Sequence, residues 1–233
     1  MNQHSFAIKF LLKFIVFIFL GLFPFTPSVQ TAIVQDFTKD HYKLETKQSF
    51  YFPGGVLLGA AVQWYSKHLK AMKEPSLLNI SKGLNRNEEV YRFLWLRSMF
   101  GHPICLRLDI NVDGNGKLTV KETNGNGSGK PGALSMWKII NLDKFQTLKF
   151  CQEINRIHFW EGPSKVESIS IDGARWILEG TRENKYKILD YQTPSKGNIK
   201  IVTQMLLDFS KSKPGKSVNF LNFNEVADPP VFP

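Results

Sequence analysis

The chain has 233 residues, 42% hydrophobic and 13% aromatic, enough to fill a core, so disorder throughout is excluded. Its formal charge is +10, carried by Lys and Arg scattered singly, with no run of four. Such a charge suits anionic lipid or an acidic polymer, although cations scattered in this way more often mark an ordinary solvated surface; no nucleic-acid-binding module is recognisable.

Residues 1–32 form the first expected unit. Lys9 and Lys13 precede an uninterrupted apolar run from Phe14 to Phe23, which Pro24 closes. That run has the length of a signal-peptide core, about 7 to 15 residues, rather than the ~20 of a span. Cleavage after Ser28 or Ala32 would export the chain to the periplasm or beyond and lower its charge to +8. The alternative is an inner-membrane anchor formed by residues 10–25, and membrane contact is expected only if this segment stays uncleaved. Residues 33–55 read as a polar lead-in.

A single domain is expected over residues 56–210. GGVLLGAAVQWYSKHLKAM carries Val56, Leu57, Ala60, Ala61, Trp64 and Leu69 at helical spacing, and Glu74-Pro75 stops it. Residues 76–88 read as a connection. EEVYRFLWLRS predicts a strand apolar on both faces, and PICLRLDI a second in which Ile104, Leu106, Leu108 and Ile110 share one face. KLTVKE is a third strand, TNGNGSGKPG a loop, and LSMWKII a fourth strand. In LDKFQTLKFCQEINRI, Asn141 is a candidate cap and Phe145, Leu148, Cys151 and Gln152 form a stripe. ARWILEG and KYKILDY predict a hairpin about TREN, and NIKIVTQMLLDFSK an amphipathic helix. Residues 211–233 form a tail. The expected fold is α+β: a single antiparallel sheet of about five to six strands with helices packed on one face.

NVDGNGKLTVKE, residues 111–122, matches the ligand positions of a calcium-binding helix–loop–helix loop at Asn111, Asp113, Asn115, Gly116 and Glu122. Its flanks do not fit. The incoming segment alternates like a strand, the outgoing one holds four glycines and a proline, and neutral Asn111 replaces the usual Asp. Asp113 to Gly116 therefore reads as a hairpin turn.

EPSLLNIS, VYRFLWLRSMFGHPICLRL, KLTVKETNGNGSGKPG, the Phe159-Trp160 pair and DGARWILEG together resemble a family of exported bacterial proteins of unknown function. The resemblance covers about residues 62–210. It implies one shared domain and export, assigns no chemistry, and supports the hairpin reading of residues 109–122. Ser128 and Lys130 depart from it, standing where the family pattern has Gly-Tyr.

The polar residues within these motifs are Arg92, Arg97, His102, Arg107, Glu122, Asp172 and Glu179. Two readings of different class follow. In the first, the chain is a non-catalytic envelope or periplasmic module presenting Arg92, Arg97, Arg107 and Lys130 of the glycine-rich loop to an acidic partner. In the second, it is a hydrolase-like enzyme using His102 with Glu122 or Glu179. Asp172-Gly173 fits a turn or strand entry. His4, His41, His68, His102 and His158 include no HxxxH or HxH pair, and there is no GxSxG elbow or phosphate loop, so neither metal nor cofactor is expected. Cys105 and Cys151 are expected on opposite sides of the sheet, as isolated thiols rather than a disulfide.

Overall fold

Two-residue alternation dictates most of the architecture. The computed structural model describes residues 47–85, 87–97, 101–166, 174–192 and 198–211. The segment read for export therefore lies outside the described residues, as do Asp172, Gly173 and the tail beyond Lys211. The described residues form seven strands: β1 Glu89–Leu96, β2 Ile104–Ile110, β3 Gly116–Thr123, β4 Leu134–Leu142, β5 Lys165–Val166, β6 Arg175–Arg182 and β7 Lys185–Gln192. Among the described residues the helices are α1 Gly59–Ala71, α2 Leu77–Ile80, α3 Lys144–Arg156 and α4 Asn198–Lys211. No helix among the described residues is long and apolar enough to cross a membrane.

The strands form one sheet in the order β4-β3-β2-β1-β6-β7-β5. Six pair antiparallel, and the two-residue β5 runs parallel to β7. The α+β expectation and the hairpin about TREN hold. Glu183 and Asn184 turn that hairpin with φ of 45° and 60°, the left-handed geometry that a tight two-residue turn requires.

Helices on one face only is an expectation the structure corrects. Tyr91, Phe93 and Trp95 of β1 join Ile104, Leu106 and Leu108 of β2 and Trp176 and Leu178 of β6, and α3 and α4 cover them with Phe150, Ile154, Val202, Leu206 and Phe209. The opposite face carries Leu94, Leu96, Cys105, Ile177 and Ile188, and α1 packs there with Ala61, Val62, Tyr65 and Leu69. Every second residue of these strands therefore meets a helix on each side. Tyr51 and Phe52 are buried in the α1 core, so packed structure begins before residue 56.

Local corrections have clear causes. The cap of α3 is Asp143 instead of Asn141: its side chain accepts from Gln146 N while Gln146 reaches back, a reciprocal capping box. Phe145 and Leu148 are exposed, because the helix buries Gln146, Thr147, Phe150 and Ile154 instead. Two stripes compete at helical spacing in this segment, and the second meets the sheet. The connection after Pro75 contains α2, capped by Ser76 accepting from Asn79 N. Cys105 lies on the α1 side, Cys151 packs against the other core, and both are free.

Candidate functional site

Strand parity assembles a charged layer where sequence alternation suggests a solvent face. Arg92 on β1, Arg107 on β2, Lys121 on β3, Arg175 and Glu179 on β6 and Asp190 on β7 all share the α1 side with Cys105 and Ile177. Register places Arg92 directly opposite Glu179 and, on its other side, opposite Arg107.

The Arg92–Glu179 pair is two-pronged. Nε donates to Oε2 at 2.7 Å and Nη2 to Oε1 at 2.8 Å, and both side chains are fully buried. Nη1 donates to the Pro75 carbonyl at 2.6 Å, and the Tyr186 hydroxyl donates to Glu179 Oε1 at 2.7 Å. Burial pushes the guanidinium's pKa down, but the carboxylates of Glu179 and Glu74 outweigh it, so the net shift is upward and Arg92 stays charged. Burial, reinforced by Glu179, raises the Tyr186 hydroxyl well above its ordinary range, which keeps it a neutral donor.

Glu74 follows α1 immediately and turns its carboxylate into the same layer. It lies 2.7 Å from Lys121 Nζ, 3.2 Å from Arg107 Nη1 and 3.8 Å from Arg92 Nη1. One carboxylate thus touches cations of three adjacent strands and fixes the end of α1 on the sheet. Tyr51 completes the enclosure, with its ring 5.9 Å from the Arg92 guanidinium and its hydroxyl donating to the Glu74 carbonyl. A second buried pair lies nearby. Arg175 Nε donates to Asp190 Oδ1 at 2.9 Å, and the Tyr65 hydroxyl of α1 donates to Oδ2 at 2.7 Å.

The candidates named from sequence do not converge. Glu179 is held by Arg92 and Tyr186. Glu122 shares the parity of Leu118 and Val120 and so belongs to the opposite face, three strand spacings or roughly 14 Å along the sheet. His102 Nδ1 lies 2.9 Å from the Gly125 carbonyl, exposed, where it ties the strand entry to the glycine-rich loop. Arg92 and Arg107 belong to the buried layer and leave no guanidinium for a surface partner. Arg97 lies over the Trp95 ring at 5.0 Å, and Lys130 is exposed.

The thiols are correspondingly inert. Burial raises the Cys105 pKa strongly, and it pushes Cys151 up to about 12. Neither holds appreciable thiolate at neutral pH. The glycine-rich loop is anchored too. Trp64 Nε1 donates to the Gly127 carbonyl at 2.8 Å, and a Cβ at Gly127 would fall 1.5 Å from the Arg97 carbonyl, so only glycine fits beneath that strand end.

Residues 111–122 form the expected hairpin. Asn111 N donates to Asn115 O and Gly114 N to Asn111 O, each at 2.9 Å. The Asp113 carboxylate accepts from Asn115 N and Nδ2, which lowers its pKa. Glu122 sits six residues along extended β3 from Gly116, roughly 20 Å away, whereas a calcium ligand must approach the ion to about 2.4 Å.

Glu74, Lys121, Tyr186 and the Arg175–Asp190–Tyr65 group escape the sequence reading. The signal that could reveal them is the shared parity of opposite charges on adjacent strands, coupled to an amphipathic helix ending in Glu-Pro. No family model matches the chain, and no curated protein is detectably similar to it.

Proposed function

We propose that this chain is an exported, non-catalytic module of the bacterial envelope or periplasm that binds an acidic partner. The observation that carries this reading is the separation of His102, Glu122 and Glu179. They occupy a loop anchor and opposite faces of one sheet, and Glu179 is neutralised in place by Arg92. A hydrolytic centre needs acid, base and charge-stabilising groups around one reacting atom. The charged layer instead joins helix to sheet, which suits a scaffold. Surface cations such as Lys117, Lys130, Lys138 and Lys144 then supply the attraction, and Arg92 and Arg107 supply rigidity.

The test uses the full chain produced in a bacterial host. N-terminal sequencing of the periplasmic fraction is expected to find a start near residues 29 to 33. That material should bind poly-glutamate, weaken steeply with salt, and behave identically as His102→Ala. An intact Met1 in the membrane fraction would establish an anchor instead. An esterase or peptidase activity that His102→Ala abolishes would overturn the non-catalytic reading.

A further inference from the structure

The two edges of the sheet differ sharply. One ends in β5, only two residues long, and the other in β4, nine residues long. Natural sheets blunt their edges by shortness, bulges, prolines or charges, because a long bare edge offers unpaired N–H and C=O groups to any extended chain. β4 has no strand on its outer side among the described residues, and its central residues Trp137, Lys138 and Ile139 are all exposed. Trp137 is 64% and Ile139 49% exposed, on the side of the sheet that α1 covers farther in. Their partners on β3 are Lys121 and Thr119.

The opposite side of β4 is cationic at its centre. Lys138 Nζ donates to the Ser210 carbonyl of α4, and exposed Lys144 at the start of α3 lies beside Gly114 of the β2–β3 turn. Exposed Lys117 lies opposite Asn141, toward the far end of the apolar side. Of the neighbouring acids, Asp143 is engaged in the α3 cap and Glu122 lies one strand inward.

We infer that β4 is the docking edge for an extended peptide of a partner protein, in which apolar residues alternate with acidic ones. This deepens the acidic-partner reading above and rests on it. An added strand sends successive side chains to opposite faces. Its apolar residues would cover Trp137 and Ile139, while a carboxylate at its centre would meet Lys138. A second copy of the chain is the poorer occupant: antiparallel self-pairing brings two Lys138 side chains close on one face, within a chain of charge +10.

The probe is a synthetic peptide of alternating glutamate and valine, as long as β4, titrated by calorimetry into the full processed chain. Saturable binding is expected. Trp137→Glu should weaken it at least about tenfold. N-methylation of alternate peptide amides, which blocks strand addition and leaves the charges intact, should do the same. Equal binding of the N-methylated peptide would overturn the edge-docking inference and leave the acidic-partner reading standing. Loss of both peptide and poly-glutamate binding would remove both. A concentration-dependent dimer in ultracentrifugation that Trp137→Glu dissolves would assign the edge to a second copy. Peptide binding that emerges only on truncation after Lys211 would assign it to the chain's own C-terminal segment. Either result overturns the inference.

Discussion

Arg92 and Glu179 face each other across the β1–β6 rung and close a two-pronged ion pair with no solvent contact. Such a pair is costly to break from one side, because the survivor keeps its charge in a dry site. Glu179→Gln is expected to destabilise the domain by roughly 3 to 5 kcal/mol. Replacing both partners, with Arg92→Met and Glu179→Leu, should recover much of that loss. Urea denaturation of the three proteins measures both effects, and an effect below about 1 kcal/mol in the single variant would show that water reaches the pair.

Trp176 is 1% exposed and packs its ring 5.2 Å from Phe93 and 5.6 Å from Trp95. Its indole N–H finds no hydrogen-bond partner among the described residues, so its contribution is apolar. Trp176→Ala should cost roughly 3 to 5 kcal/mol of a total of about 5 to 15. Thermal denaturation should show a marginal or unfolded domain. A shift of a degree or two would contradict the core assignment.

The strands of this domain are legible because their aromatic and β-branched residues alternate cleanly, and its turns because Asp-Gly and Asn-Gly mark them. The second helical layer is not. Arg92, Arg107, Lys121, Arg175, Glu179 and Asp190 fall on one parity, and charge on alternate residues ordinarily marks water. Here those charges neutralise one another across strands, and only the register reveals it. The α3 face fails for a related reason: Phe145 and Leu148 are more apolar than Gln146 and Thr147, yet the capping box and the contacts of Phe150 and Ile154 set the helix rotation. The site candidates are read as separate polar residues because nothing local says that Glu74 and Tyr186 will enclose them.

The hairpin of residues 111–122 makes a prediction about calcium. Calorimetry with millimolar calcium should show no saturable heat, because Asp113 bonds inward to Asn115 and Glu122 lies far along β3. A micromolar dissociation constant that Glu122→Gln abolishes would refute this geometry.

His68 on α1 is fully buried, and neither ring nitrogen has a hydrogen-bond partner among the described residues. Burial, with Lys67 adding to it, lowers its pKa from 6.5 to about 4. The folded state therefore resists a proton that the unfolded chain accepts. The stability tied to His68 is complete above pH 6.5 and is lost as pH falls toward 4, on the order of 3 kcal/mol. Urea midpoints between pH 7.5 and 4.5 should fall less steeply in His68→Leu than in the parent. Parallel curves would show that His68 is protonated while folded.

The strand order also carries a kinetic consequence. Strands β1 to β4 pair with their chain neighbours, as do β6 and β7, so each group needs only short loops to close. The β1–β6 seam is different, since Arg92 and Glu179 are 87 residues apart. Closing so large a loop costs entropy before any contact repays it, which places the seam late on the folding route. A four-stranded meander and a two-stranded ribbon would form first and then join along Phe93, Trp95, Trp176 and Leu178. Substitutions at Arg92 should then accelerate unfolding and leave the refolding rate nearly unchanged in stopped-flow chevrons, whereas refolding slowed in proportion to the lost stability would place the seam in the nucleus.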